Sequence, residues 1–251
     1  MTDGKRHIQQ SALTLDGDPE PPKGQPEAGV GSDARSKSAA DVAALLSGQD
    51  PAAHAPQERA EEIHRFGILP TEQYAEAEKF AATYLGESAG DEFRECTETN
   101  PELTVACFAQ GQELIGLCFG HARNASAVGL VGIAMHPDAA AHGKGGELLR
   151  FFEQGVLAHG YTTISLGSAS GYVERFYLKN GYKPTEYLVY LPAGSRPPLE
   201  GLDVLRVREV DDQVMINIRN ESGYQPELKQ ALVECLGAKR AIYIFEKHIG
   251  S

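Results

Sequence analysis

A glycine-rich turn between a predicted buried strand and a predicted long helix has residue types suited to binding an anion. The segment runs from Met135 to Leu149 and reads MHPDAAAHGKGGELL. Main-chain N–H groups are exposed at the start of a helix, and the helix dipole there favours negative charge. Glycine also lets a phosphate approach the main chain closely. Because the turn matches neither GxGxxG nor GxxxxGK[ST], it is equally compatible with an ordinary strand–turn–helix connection.

A second motif follows one predicted strand later, in the segment SGYVERFYLKNGY at positions 170–182. It contains Phe-Tyr, three further residues, and then Gly-Tyr. In this order and at this spacing, the two segments resemble the cofactor motif and the later signature of the GNAT-type N-acetyltransferase superfamily. Gly143 and Gly145 take the two glycine positions of the cofactor motif. The resemblance covers roughly residues 63–191.

The resemblance implies a mixed α+β fold, in the wider α/β class, with a sheet of six to seven strands that splays between strands four and five. Helices would lie on both faces, and a C-terminal αβ extension would follow. Acetyl-CoA, the acyl donor and co-substrate, would enter the gap without the help of a metal. Its pantetheine arm would run beside the Ala127–Met135 strand. The main chain at Met135 would then hold the thioester carbonyl and help to stabilise the oxyanion.

The remaining cofactor contacts are implied in the same way. The pyrophosphate would sit on main-chain N–H groups from about Ala141 to Gly146. The full set of expected cofactor-binding residues is Ala134, Met135, Ala140, Ala141, His142, Gly143, Lys144, Gly145, Gly146, Ser170 and Tyr177. Tyr177 occupies the position where the family places the proton donor to the departing thiolate. A phenol with a pKa of about 10 is protonated at neutral pH and able to give that proton.

Two positions depart from the family pattern. Ala140 stands where the family has Gln or Arg, which removes a side chain that commonly reaches the pyrophosphate. Lys144 or His142 could compensate for it. Ser170 stands where many members carry an Asn near the pantetheine, and its hydroxyl can still make one hydrogen bond.

The general base has several candidates. An acceptor ammonium must lose a proton before its nitrogen attacks. His121, at the end of the third predicted strand, is the first candidate because an unperturbed histidine titrates near pH 6.5. Asp91, Glu92 and Glu95 are the alternatives, since they lie in the region that usually lines the acceptor site of the family.

Periodicity predicts the elements that must position these residues. Strands are expected at 63–69, 103–108, 114–119, 127–135, 162–166, 182–191, 205–209, 214–218 and 241–245, and helices at 71–85, around Phe93, and at 145–159, 172–180 and 227–236. Thr71 is expected to cap the first helix. One strand of the C-terminal extension is expected to complete the sheet. The rest of that extension could cap the acceptor cleft, form a dimer contact or pad the sheet edge.

Composition bounds the domain organisation and the partners. The chain has 251 residues and a formal charge of −12, so it is a poor general binder of nucleic acid. That acidic balance favours a cationic acceptor, whether a small molecule or a peptide. Residues 1–60 are rich in Ala, Gly, Pro, Ser and Asp, which predicts a disordered tail or a partner-binding arm that includes a short helix at 39–46. The domain is then expected at 61–200 and the extension at 201–251.

Compartment and cysteine chemistry follow from the same sequence. No apolar stretch approaches the length of a membrane-spanning helix and the start has no apolar h-region, so a cytoplasmic protein without membrane contact is expected. Four cysteines without a CxxC pair predict reduced, mostly buried thiols and no metal site. The sequence thus predicts an N-acetyltransferase acting on a primary amine, with a homodimer as one possible assembly. A non-catalytic acyl-CoA-binding module and an enzyme for a larger acyl donor are the alternatives.

Overall fold

One sheet with helices on both faces makes up the structure, a computed structural model that describes residues 64–168, 171–210 and 212–250. The strands are β1 Arg65–Ile68, β2 Thr104–Phe108, β3 Leu114–Ala122, β4 Ala127–Met135, β5 Thr163–Ser168, β6 Lys183–Pro192, β7 Val204–Val210, β8 Gln213–Arg219 and β9 Arg240–His248. The helices are α1 Tyr74–Leu85, α2 Glu87–Thr99, α3 Pro137–Ala141, α4 Lys144–Ala158, α5 Gly171–Lys179 and α6 Pro226–Leu236.

The strand order across the sheet is β1-β2-β3-β4-β5-β9-β6-β8-β7. Neighbouring strands are antiparallel except β4 and β5, which are parallel. The fold class that the sequence predicted is therefore confirmed. The sheet has nine strands instead of six or seven, because β7, β8 and β9 all join it and β9 inserts between β5 and β6.

Two apolar clusters hold the helices against the sheet. The amphipathic helix α4 buries Leu148, Leu149 and Phe152 on the side of the sheet that also carries α5 and α6, which we call the first face. Helices α1 and α2 bury Ala81 and Phe93 on the opposite side, which we call the second face. Strands β2, β3 and β4 therefore present alternate residues to two different cores.

The sheet splays between its fourth and fifth strands, as the resemblance implied. Only Ala127–Gly129 of β4 pairs with Thr163–Ser165 of β5. From Leu130 onward, β4 is paired with β3 alone. A gap therefore opens between the carboxyl-terminal parts of β4 and β5, and it leads to the glycine-rich turn.

Several local predictions differ from the structure. The helix expected around Phe93 is longer, at Glu87–Thr99. Thr71 does not cap α1, since it begins a separate single turn of 3-10 helix. The segment expected to form only a glycine-rich turn also contains the short helix α3, whose first position is Pro137.

All four cysteines are free thiols, and three of them are buried, whereas Cys235 is exposed. No helix among the described residues is long and apolar enough to cross a membrane. The tail at 1–60 and its possible short helix lie outside the described residues.

Candidate active site

The glycine-rich turn is built around Gly143. Its φ of +75° is in the left-handed region, which glycine adopts without the clash that a side chain causes. Gly143 follows the C-terminal end of α3 and is the N-cap residue of α4, which begins at Lys144. Glycine therefore stands where the backbone takes the left-handed conformation, immediately before the first turn of α4.

Three of the N–H groups expected to bind the pyrophosphate already have partners in the turn. His142 N–H donates to Ala139 O, Gly143 N–H to Ala140 O and Gly146 N–H to Gly143 O, at 3.2, 3.0 and 3.2 Å. The first turn of a helix has N–H groups without intrahelical acceptors, and here these include Lys144 and Gly145. The anion-binding capacity of the turn is therefore concentrated on these two groups.

The two side chains expected to replace the missing Gln or Arg are both engaged. Lys144 Nζ donates to both carboxylate oxygens of Glu147 at 3.1 Å, on its own helix. His142 Nδ1 lies 2.7 Å from the carbonyl oxygen of Asp138, so it donates to that carbonyl. Ala140 itself donates its N–H to His136 O at 2.9 Å. A phosphate would have to draw Lys144 away from Glu147 to gain its charge.

The end of β4, the start of α4 and helix α5 meet at Gly145. A Cβ at this position would lie 3.6 Å from Met135 Cγ and 3.7 Å from Phe176 Cε2. The two predicted motifs, far apart in sequence, are therefore in contact. The absence of a side chain at Gly145 leaves the start of α4 accessible between them.

The main chain of β4 offers hydrogen-bonding groups to the gap. His136 N–H donates to Ile115 O at 2.7 Å, so residue 136 faces β3. In an antiparallel pair, the main-chain N–H and C=O groups of successive residues point alternately toward the partner strand and away from it. Met135 and Ile133 therefore direct these groups away from β3, into the gap. The same alternation turns the main chain of Ala134 toward β3, where its partner is Leu117, and its side chain is buried against α1 and α2.

A β-bulge interrupts β4 where the gap begins. Phe119 pairs with Gly132 and Gly120 with Leu130, which leaves Val131 as the extra residue. A bulge leaves one residue outside the ladder and re-aims its main chain. The N–H near Val131 is therefore a second candidate for the oxyanion contact. Sequence reasoning missed it, because the segment Gly129–Gly132 shows glycines but not where the register slips.

A buried hydroxyl lies at the far side of the gap. Ser168, the last residue of β5, is 4% exposed, and its Oγ has no hydrogen-bond partner among the described residues. A buried polar atom without a partner is costly, which suits a group that is completed by a ligand. Ser170, which the sequence predicted for this region, lies outside the described residues.

Tyr177 is buried between α5 and the first face of the sheet. Its ring is 5.3 Å from Phe176, 5.6 Å from Tyr182 and 6.0 Å from Phe245, measured between ring centroids. Burial, together with the nearby Cys118 thiol, raises the pKa of Tyr177 above its usual value of 10. The phenol therefore stays protonated, which is the state required of a proton donor.

His121 lies at the end of β3 on the second face, at one end of a cleft of about 350 Å³ that we call the second-face cleft. It is 7% exposed, and its Nδ1 has no partner among the described residues. Burial, and then the charge of Arg123, lower the pKa of His121 below 6.5. The ring is therefore neutral at neutral pH and able to accept a proton.

The acidic alternatives for the base lie on α2. Asp91 is exposed and bonded to Arg94 at 3.1 Å, and Glu95 is also exposed. Glu92 is half-buried on the same helix. None of the three lines the second-face cleft, whereas His121 does.

Replacement of Gly143 by alanine should destabilise the turn. A non-glycine residue in the left-handed region costs about 1–2 kcal/mol, and we expect a loss of that size in the free energy of unfolding. CoA affinity should also fall, because the N–H groups of the next two residues would be displaced. Gly155→Ala is the matched control: it lies within α4 with open space around it, so it should stabilise by about 0.5–1 kcal/mol. Denaturant titration and calorimetry with CoA measure both quantities; equal effects of the two substitutions would contradict the assignment.

Several solved structures of N-acetyltransferases are similar to this chain. No protein-family model matches the chain, and no curated protein matches it. Similar solved structures include an aminoglycoside 6'-N-acetyltransferase from Enterococcus faecium, at 18% identity and a TM-score of 0.42, over 62% of this chain and 96% of that one. The ribosomal-protein-S18-alanine N-acetyltransferase from Escherichia coli has 14% identity and a TM-score of 0.43, over 65% of this chain and all (100%) of that one.

A GNAT family N-acetyltransferase from Escherichia coli, in complex with CoA, is also similar. The identity is 12% and the TM-score 0.41, over 48% of this chain and 68% of that chain. Identities and scores this low carry no activity over to this chain. The GNAT-type resemblance seen in the two motifs extends to the fold, through the single parallel strand pair and the splay beside it.

Proposed function

We propose that this protein is an N-acetyltransferase that moves an acetyl group from acetyl-CoA to a primary amine by direct attack. The observation that carries the proposal is the gap between β4 and β5. One wall of that gap is the free main chain of β4, which leads to the first turn of α4. If the pantetheine arm of acetyl-CoA pairs with β4, the pyrophosphate of the cofactor would lie at the start of α4.

The chain's own residues supply the remaining steps. The N–H groups of Met135 or of the bulge at Val131 hold the thioester carbonyl and stabilise the oxyanion as the amine attacks. His121 takes a proton from the attacking nitrogen. A C–N bond forms, the C–S bond breaks, and Tyr177 gives its proton to the departing sulfur.

The pH dependence of the reaction tests the role of His121. Its lowered pKa means that the neutral form persists below pH 6.5, so kcat/KM should rise with pH along a limb centred below that value. His121→Gln should remove the limb and lower kcat by about 100-fold. His159, an exposed histidine at the end of α4, gives the control, and His159→Gln should leave the profile unchanged. A limb that persists in His121→Gln would assign the base elsewhere.

The proposed function is tested by two separate measurements. Calorimetry with CoA tests the cofactor site, and release of CoA from acetyl-CoA with a panel of primary amines tests transfer. We expect binding in the first and amine-dependent release in the second. Binding without release with any amine would instead support the alternative, a non-catalytic acyl-CoA-binding module, which the engaged Lys144 and the alanine at position 140 favour. Comparing the affinities for succinyl-CoA and acetyl-CoA tests the other alternative, that the protein uses a larger acyl donor.

A further inference from the structure

The second-face cleft carries a charge opposite to that of the whole chain. Its lining includes the guanidinium groups of Arg123, Arg206 and Arg208 and the carboxylates of Glu186 and Glu246. These groups sum to +1, whereas the chain has a formal charge of −12. Because exposed charges more than about 8–10 Å apart are screened in physiological salt, a bound ligand responds mainly to the groups in the cleft.

The guanidinium of Arg208 is held in place by one hydrogen bond and has other N–H donors that are not paired with any described residue. Arg208 Nη2 donates to Asn217 Oδ1 at 3.3 Å, and Asn217 Nδ2 donates to Glu186 Oε2 at 2.6 Å. The Nε of Arg208 is buried without a hydrogen-bond partner among the described residues. Because the guanidinium is already held in place, its remaining N–H donors can bind an anion with little further loss of side-chain entropy.

A row of paired residues links the two sides of the cleft across β4, next to the start of the gap. Strand register aligns His121 with Gly129, Gly129 with Ser165, and Ser165 with Glu246, in one row across four strands. A Cβ on Gly129 would lie 3.3 Å from the His121 ring and 2.7 Å from Arg123 Nε, so the absence of a side chain lets these two groups lie directly on β4. The bulge at Val131 is two residues further along β4, about 7 Å away at the rise of a strand.

We propose that the second-face cleft binds the acceptor, and that the acceptor is a small molecule or chain end that carries an anionic group, a carboxylate or a phosphate, in addition to its primary amine. The inference rests on the proposed function for the fate of the amine. The amine lies at the end with His121 and Glu246, beside the gap, and the anion is held by Arg206 and Arg208 of β7. The cationic acceptor expected from net charge is replaced by a zwitterionic one, because local charge decides binding.

Pairs of acceptors that differ only in the distant group test this assignment. Amine-dependent CoA release is measured with ω-amino acids, α,ω-diamines and ω-aminoalkyl phosphates of matched carbon number. We expect the KM of at least one acidic acceptor to be lower than that of its diamine by about ten-fold or more, a difference of one charge-assisted contact. The carboxylate and phosphate series distinguish the two anions. A diamine preferred at every chain length would overturn the proposal.

Substitutions at the arginines connect the preference to the cleft. Arg208→Gln should raise the KM for the acidic acceptor about ten-fold and should not raise that for the diamine. Arg206 is exposed, so Arg206→Gln gives a second variant with less risk to folding. Arg196→Gln, in the exposed loop after β6, is the control and should change neither value. An acidic preference that survives in both cleft variants would place the anion elsewhere and overturn the proposal.

A failure of the proposed function gives a different pattern. If no amine releases CoA, thermal unfolding with the same ligand pairs still tests the cleft. Greater stabilisation of the unmodified chain by the amino acid or aminoalkyl phosphate than by the diamine, lost in Arg208→Gln, supports the acidic-ligand site without transfer. Equal stabilisation by both members of every pair overturns it.

Discussion

Replacement of Tyr177 by phenylalanine should lower kcat by about 100-fold or more, the effect expected when a general acid is lost. The affinity for CoA should stay within about two-fold, because the ring remains packed against Phe176 and Tyr182. Burial raises the pKa of the Tyr177 phenol, so the donor stays protonated through neutral pH and up to at least its usual value of about 10. Single-turnover rates with acetyl-CoA and direct CoA titration measure the two effects separately.

Tyr172 is the matched control for this substitution. It lies on the same helix and is 79% exposed, so Tyr172→Phe should change neither the rate nor the affinity. Tyr177→Phe with an undiminished rate would show that the departing sulfur takes its proton from solvent. Loss of rate together with loss of CoA affinity would instead indicate that the hydroxyl contributes to the shape of the site.

The local elements around the site could be predicted from the sequence because each has a strong pattern of its own. The strand Ala127–Met135 has the predicted bounds, and helix α4 lies within one residue of its predicted start and end. The left-handed Gly143 coincides with the glycine motif that indicated a turn. These features depend on residues close together in sequence, where periodicity and glycine conformation are informative.

The second-face cleft could not be predicted, because it depends on strand order. Its charged groups come from the residue after β3 and from β6, β7 and β9, and they lie side by side because β9 inserts between β5 and β6. The bulge at Val131 is equally invisible in sequence, since it is a slip of register between two strands. The domain limits at 60 and 200, the possible homodimer and the cytoplasmic location stay predictions.

Removal of the Glu174 carboxylate should have the largest effect on stability. This side chain is 1% exposed on α5, pairs with Lys229 Nζ of α6, and accepts a hydrogen bond from Tyr224 Oη at 3.0 Å. Glu174→Ala would leave a largely buried ammonium without its counterion, which typically costs about 3–5 kcal/mol. We expect a loss of that size in the free energy of unfolding, measured by denaturant titration. Because Tyr177 lies one helical turn further along α5, the rate of acetyl transfer should fall as well.

Two comparisons separate the buried charge from the loss of packing. The double substitution Glu174→Leu with Lys229→Met removes both charges, and we expect it to recover most of the lost stability, since buried ion pairs can be replaced by apolar pairs at little cost. Arg219→Ala breaks an exposed pair with Asp203 and should cost only about 0–1 kcal/mol. If Glu174→Ala were as mild as Arg219→Ala, water would reach Lys229, and α6 would be held to α5 by apolar contacts alone. If the double substitution were as damaging as Glu174→Ala, the hydrogen bond from Tyr224 would be the contact that positions α5.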